Sequence, residues 1–99
     1  MERIIVTVDA DLEDLIPGFL ENRYRDIRAL KEKLEYNDYQ SIAITGHSMK
    51  GFGAGYGFDE ISKIGAELEQ AAKQGQSLEV AKKITEFEDY MGKIEIRFE

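Results

Sequence analysis

The chain has 99 residues, 42% hydrophobic and 33% charged, which suits one small domain over residues 1–99 with a single core. The net charge of −7 disfavours nucleic acid, whose phosphates would be repelled, and the absence of cysteine excludes disulfides and thiolate metal sites. The longest apolar run, residues 4–8, is too short to span a bilayer, and we expect no signal peptide because Glu2 and Arg3 lead directly into a strand-like run. We therefore expect a cytoplasmic monomer without nucleic-acid or membrane partners.

Two strands are predicted at the ends of the chain. Residues 3–8 are rich in β-branched side chains, and residues 93–98 alternate between charged and apolar side chains. In the second strand the alternation places three apolar residues on the face expected to turn inward: Ile94, Ile96 and Phe98.

The segment after the first strand predicts two helices. A short helix that opens with acidic residues is predicted from Asp9 to Ile16, and it should end there because proline disfavours helical geometry in the residue before it. Pro17 itself suits the first turn of a second helix that ends near Tyr36. The predicted apolar stripe of this second helix is Leu20, Tyr24, Ile27, Leu30 and Leu34.

Three further helices follow. The third is predicted over residues 39–56, with Asp38 as its N-cap and Gly57 as its left-handed C-terminal residue. The fourth covers residues 58–73, and the fifth is capped by Ser77. Their predicted stripes are Phe58, Ile61, Ile64, Gly65, Leu68 and Ala72 in the fourth helix, and Val80, Ile84, Phe87 and Met91 in the fifth.

The links between the four longer helices are short, which makes sequential helices antiparallel. We therefore predict a mainly all-α fold: an up-down-up-down four-helix bundle over about residues 9–91, with the short extra N-terminal helix. The second helix begins at the end of the bundle where the fifth finishes. The terminal strands should meet there as a two-stranded antiparallel ribbon folded onto the bundle.

The third helix carries the chain's only histidine, His47, within a stretch that has five glycines between positions 46 and 57. At roughly 100° per residue, His47 lies about 140° from the predicted core face of this helix and should point outward. That core face is Ile42, Gly46, Met49 and Gly53. Each glycine inside a helix costs about 1 kcal/mol relative to alanine. Close helix packing accounts for the glycines of the core face, whereas Gly51 faces outward and leaves room for a partner surface.

Other interpretations of this stretch fail on spacing. A dinucleotide fingerprint starting at Gly51 has Tyr56 in place of its third glycine, and a P-loop has Phe52 in place of its lysine. Ser48 is adjacent to His47, and adjacent residues do not face each other on a helix, which argues against a nucleophile triad. A single histidine without cysteine also argues against a metal site.

The pattern H-x-x-K-G followed by a glycine ten residues after the histidine is present as His47, Lys50, Gly51 and Gly57. With helical segments in this order over roughly residues 9–91, the chain resembles the histidine-containing phosphotransfer (HPt) domain of two-component phosphorelays. The terminal strands depart from the minimal domain of that family.

The resemblance implies that His47 accepts a phosphoryl group and exchanges it with aspartates of receiver domains, with a hybrid or sensor histidine kinase upstream. Lys50, one turn along, would compensate the charge of the transferred group. It implies a phosphoryl carrier without kinase activity or a cofactor of its own, because Mg²⁺ is expected from the receiver partner.

The predicted partner surface combines the histidine face with apolar residues of the first two helices. Its candidate residues are Gly51, Gln40, Ile44, Leu12, Leu15, Ile16, Phe19 and Arg23. Two alternatives stay open at this point. One is a helical module that binds a receiver or kinase without carrying phosphate, and the other is a phosphatase using Gln40 or Glu69 to orient water.

Overall fold

The computed structural model describes residues 2–99 and shows four long helices between two short strands. In chain order the elements are β1 (Ile4–Val8), a 3₁₀ helix (Ala10–Leu15), α1 (Ile16–Glu35), α2 (Tyr39–Gly55), α3 (Asp59–Lys73), α4 (Ser77–Lys93) and β2 (Ile94–Phe98). The predicted mainly helical fold with a ribbon formed by the two termini is confirmed. Within residues 2–99, none of the helices combines the length and apolarity needed to cross a membrane.

Local chemistry sets most helix ends where the sequence predicts them. The Asp38 carboxylate caps α2 by accepting a hydrogen bond from the Ser41 backbone N–H at 3.2 Å. Gly57 follows α2 with φ of +86°, a conformation that favours glycine. The predicted cap at Ser77 is wrong, because Ser77 is already the first residue of α4 and Gln76 precedes it without a side-chain cap bond.

The core lies between the four helices and contains the predicted stripes of α3 and α4. The stripe of α1 is rotated from the predicted one, because Tyr24 is 44% exposed while a charged residue, Arg23, turns inward. The buried residues of α1 are Ile16, Phe19, Arg23, Ile27 and Leu30. The Tyr24 side chain lies across the bundle surface, where its hydroxyl donates to the Met91 carbonyl at 3.2 Å.

The predicted antiparallel pairing of the strands is wrong: β1 and β2 pair in parallel, with Ile4 opposite Ile94 and Val8 opposite Phe98. The prediction assumed that β1 arrives at the end of the bundle from which β2 departs, without a reversal of the chain in the short helix between β1 and α1. α4 does run straight into β2, but residues 9–15 separate β1 from α1 and let the chain change direction there.

The ribbon is folded onto the bundle, as expected. Val6 and Val8 of β1 are buried, and Ile94 and Ile96 of β2 are half-buried against the core. The predicted inward position of Phe98 is not observed, because this last residue of β2 is 36% exposed. Each strand has one neighbour, so each keeps one free edge.

Candidate functional site

His47 lies on the outer face of α2, with 72% of its side chain exposed. The opposite face of α2 is buried and consists of the four residues that the helical wheel predicts: Ile42, Gly46, Met49 and Gly53. The predicted outward orientation of the imidazole is therefore confirmed.

The imidazole is held by a carboxylate from the neighbouring helix. His47 Nδ1 lies 3.3 Å from Glu69 Oε2 and 3.4 Å from Glu69 Oε1. The Lys73 ammonium, one turn further along α3, lies 3.1 Å from Glu69 Oε2. The hydrogen bond from Lys73, together with the contact to His47, lowers the pKa of Glu69 below its ordinary value of 4.5.

This contact determines which nitrogen of His47 is free to react. An ionised carboxylate only accepts hydrogen bonds, so a neutral imidazole beside Glu69 must carry its proton on Nδ1. Nε2 then keeps its lone pair. The arrangement is an exposed nitrogen nucleophile whose tautomer is set by its partner.

Glycines bring α2 and α3 close enough for this contact. A Cβ added to Gly46 would lie 2.6 Å from the Gly65 carbonyl oxygen and 2.8 Å from the Glu69 backbone nitrogen. The absence of side chains at Gly46 and Gly65 therefore lets the two backbones touch beside the site. The Ser62 hydroxyl adds a second link, donating to the Lys50 carbonyl at 2.8 Å.

A shallow groove of about 650 Å³ runs beside His47 between α2 and α3. It brings together two predicted binding residues, Gln40 and the 61% exposed Ile44, with the imidazole. Tyr39, Ala43, Ser48, Glu69, Ala72 and Lys73 complete its lining. The groove combines an apolar wall with the charged pair formed by α3.

Lys50 and Gly51 are both exposed on α2, as predicted. Lys50 is three residues beyond His47 and therefore one helical turn away, and within residues 2–99 its ammonium makes no ion pair. A Cβ added to Gly51 would meet nothing within 4 Å, so packing inside the protein does not require glycine there.

Three residues expected at the partner surface are instead buried: Ile16, Phe19 and Arg23 are 3%, 6% and 8% exposed. The Arg23 guanidinium stacks 3.8 Å from the Phe52 ring centroid, and its Nε donates to Asp26 at 2.9 Å. These contacts explain why a charged residue occupies the inner face of α1.

The remaining two candidates of that surface are accessible to different degrees. Leu15 is 53% exposed, whereas Leu12 is half-buried against the core. Of the residues that sequence reasoning placed at the partner surface in the first two helices, Leu15 is thus the most accessible.

The interactions of Glu69 and Lys73 with the site were not predicted from the sequence. Glu69 lies 22 residues from His47, and no local spacing pattern links the two. The signal that was present is indirect: Gly65, one turn before Glu69, marks the place where α3 approaches α2.

Across residues 2–99, no group of three or more histidine, aspartate or glutamate side chains is arranged to hold a metal ion.

A helical bundle that presents one exposed, carboxylate-oriented histidine on a helix is suited to carry a group on nitrogen. The sequence model of the Hpt domain family matches residues 10–96, and the chain therefore belongs to that family. Hpt domains are phosphocarriers, not kinases, that act in histidine phosphotransfer within two-component phosphorelays and interact with receiver domains and kinases. No curated protein and no solved structure matches the chain.

Proposed function

We propose that His47 is the phosphoacceptor, and that its Nε2 exchanges a phosphoryl group with receiver-domain aspartates. The observation that carries this proposal is the contact between His47 Nδ1 and Glu69, because it leaves the Nε2 lone pair available on an exposed ring. Nε2 attacks the phosphorus of an aspartyl phosphate, the P–O bond to the carboxylate breaks, and the aspartate leaves as its anion. The reverse step passes the group on.

The charges around the site support this chemistry. Phosphoryl transfer spreads negative charge over the equatorial oxygens of the transferred group, so cations nearby lower the barrier. Lys50 lies one turn from His47, and Lys73 offsets the negative charge that Glu69 places beside the imidazole. Mg²⁺ is expected from the acidic pocket of the receiver, since the His47 groove contributes one carboxylate, Glu69, and Lys73 already binds it.

The surface we propose for receiver docking surrounds the imidazole on α2. It includes Gln40 and Ile44 in the groove and Gly51 beyond the histidine. The exposed Leu15 of the 3₁₀ helix is a further candidate contact outside the groove. The exposed apolar area of Ile44 supports a contact with a partner. Gly51 would allow the partner backbone to approach α2.

The experiment that tests the carrier role mixes the purified protein with a panel of receivers labelled at their aspartyl phosphates. Label should pass to this protein and be acid-labile and alkali-stable, as expected for phosphohistidine. His47→Gln should abolish the transfer while the helical circular dichroism stays unchanged, and Lys50→Ala should slow it. Full labelling of His47→Gln would disprove the proposal, and unlabelled wild-type protein that still binds a receiver would favour the interaction module.

Glu69 is expected to act as a positioning residue. Glu69→Ala removes the acceptor of the Nδ1 proton, so the imidazole should shift toward the other tautomer and transfer should slow by about tenfold. Glu69→Gln keeps a carbonyl acceptor and should restore part of the rate. Nitrogen chemical shifts of His47 measure the tautomer directly, and unchanged shifts in Glu69→Ala would contradict this role.

The same contact predicts a pH dependence of stability. Because the pKa of Glu69 is lowered in the folded state, its contribution is present above pH 4.5 and is lost as pH falls through the lowered value. The melting temperatures of the wild type and Glu69→Gln should therefore differ near neutral pH and converge in acid. A constant difference across this range would show that the charge of Glu69 contributes nothing.

Gly51→Gln is expected to weaken receiver docking without loss of stability. The position is open, so a side chain there fits without collision inside the protein and improves helix propensity by up to about 1 kcal/mol. Thermal melting and the rate of label transfer measure the two effects separately. A large loss of stability would show that Gly51 is packed against another part of the molecule.

A further inference from the structure

β1 has backbone groups that no other part of the described chain uses. Glu99 donates its N–H to the Val8 carbonyl at 3.0 Å, so the peptide groups of Val8 face β2. In a parallel ladder this orientation alternates, which turns the peptide groups of Val6 and Ile4 toward β2 as well. The N–H and C=O groups of Ile5 and Thr7 therefore point to the free edge.

This free edge opens into a groove of about 570 Å³ between β1, the beginning of α3 and the end of α4. The groove is closed at one end by Gly57, where an added Cβ would lie 3.8 Å from the Thr7 carbonyl oxygen. Ile64 and Tyr90 also line it, and both are buried to at least nine-tenths. Toward Ile5, whose side chain is 52% exposed, the groove is open to solvent.

The walls of the groove are acidic. Asp59 and Glu60 line it from α3, Glu86 and Asp89 line it from α4, and Lys93 is the one basic residue among the lining residues. Glu86 is paired with Lys83 at 3.3 Å, whereas the other three carboxylates make no ion pair within residues 2–99. Their field reaches the floor of the groove: burial, and then the charges of Glu60 and Asp59, raise the pKa of Tyr90 to about 12.

We propose that this groove binds an extended basic peptide segment of a partner protein, which adds to β1 as a third strand. The backbone groups of Ile5 and Thr7 supply the ladder, and the carboxylates of α3 and α4 bind alternate lysine or arginine side chains. A second copy of this chain fits poorly, because each copy carries a net charge of −7 and would bring its own acidic groove to the interface.

The proposed site is separate from the phosphoacceptor face and does not depend on the proposed function. The two grooves share no lining residue. Gly57 lies ten residues beyond His47, which corresponds to roughly 15 Å along the axis of α2. A segment bound beside β1 therefore leaves the imidazole accessible, so the two faces can be occupied at the same time.

The test uses a fluorescent peptide of alternating lysine and valine, Lys-Val-Lys-Val-Lys-Val-Lys, and the same peptide N-methylated at every internal amide. Both peptides have the same charge, but the methylated one cannot donate the ladder hydrogen bonds. The first should bind saturably with one-to-one stoichiometry and shift the amide resonances of Ile5 and Thr7. The methylated peptide should bind about tenfold more weakly.

Matched variants separate the contribution of the backbone hydrogen bonds to peptide binding from the contribution of the acidic side chains. Ile5→Pro removes an N–H that points away from β2 and should weaken binding about tenfold, while Ile5→Thr keeps that N–H and should bind like the wild type. Glu60→Gln with Asp89→Asn should also weaken binding. Asp14→Asn with Glu32→Gln, which changes exposed acids outside the groove, should not. Thermal melting checks that each variant is folded, and if Ile5→Pro is not, the two peptides carry the test.

Three results would overturn the proposal. The first is equal binding of the two peptides, which would reduce the interaction to non-specific charge attraction. The second is the absence of saturable binding or of shifts at Ile5 and Thr7. The third is a concentration-dependent dimer that Ile5→Pro abolishes, since it would make a second copy the occupant of the edge.

Discussion

Gly46→Ala is expected to destabilise the protein by about 1–3 kcal/mol, the range for overpacking in a closely packed contact. The added methyl group would lie 2.6 Å from the Gly65 carbonyl oxygen and 2.8 Å from the Glu69 backbone nitrogen. Both are backbone atoms, so no side-chain rotation relieves the collision, and α2 and α3 must separate. Thermal denaturation should show the loss directly.

The matched control is Gly51→Ala, the same substitution on the same helix at a position where the added methyl meets nothing within 4 Å. It should gain up to about 1 kcal/mol from helix propensity, and the melting temperature should rise by about 4–8 °C for each kcal/mol. Equal stability of the two variants would mean that the approach of α2 to α3 does not depend on Gly46.

The Gly46→Ala variant also tests whether the packing of α2 against α3 affects the His47 site. His47 is adjacent to Gly46 on α2, and the backbone nitrogen of Glu69 on α3 is one of the atoms that the added methyl group would meet. A separation of the two helices therefore lengthens the contact between the imidazole and the carboxylate. Folded Gly46→Ala protein should therefore show the tautomer shift expected of Glu69→Ala. A normal His47 tautomer in this variant would show that the site tolerates movement of α3.

The sequence predicts α2 well because several local signals there agree. Asp38 and Gly57 mark the ends of the helix through their own cap and backbone chemistry, and the spacing of Ile42, Gly46 and Met49 defines the inner face. Once that face is known, the outward position of His47 follows from helix geometry alone. The family pattern and the helical wheel thus reach the same residue independently.

The features that were not predicted depend on contacts between distant elements. Periodicity assigns a charged residue to the surface, and Arg23 departs from this rule because the rings of Phe19 and Phe52 and the carboxylate of Asp26 surround it. The partnership of His47 with Glu69 depends on how α3 crosses α2. The parallel pairing of β1 and β2 depends on the path of the chain through residues 9–15, and no local sequence signal determines that path.

Deletion of residues 94–99 is expected to lower the melting temperature by about 10 °C or more while leaving the proposed phosphoryl acceptance at His47 intact. β2 half-buries Ile94 and Ile96 against the core, and full burial of such a side chain contributes about 1.5–3 kcal/mol. The deletion also removes the ladder partners of β1, so the buried Val6 and Val8 lose part of their cover. Binding of an apolar dye should increase.

Point variants of β2 separate packing from strand pairing in this effect. Ile96→Thr keeps a β-branched side chain and the ladder but loses apolar contact, so it should reproduce part of the loss of stability, whereas Arg97→Thr on the exposed face should be close to neutral.

A truncated protein as stable as the full chain would show that the ribbon contributes nothing to the stability of the bundle. A full chain that is dimeric and becomes monomeric on truncation would show that the free edge of β1 or β2 pairs between copies. In that case the loss of stability would come from dissociation and not from the packing of Ile94 and Ile96, and it would vary with protein concentration.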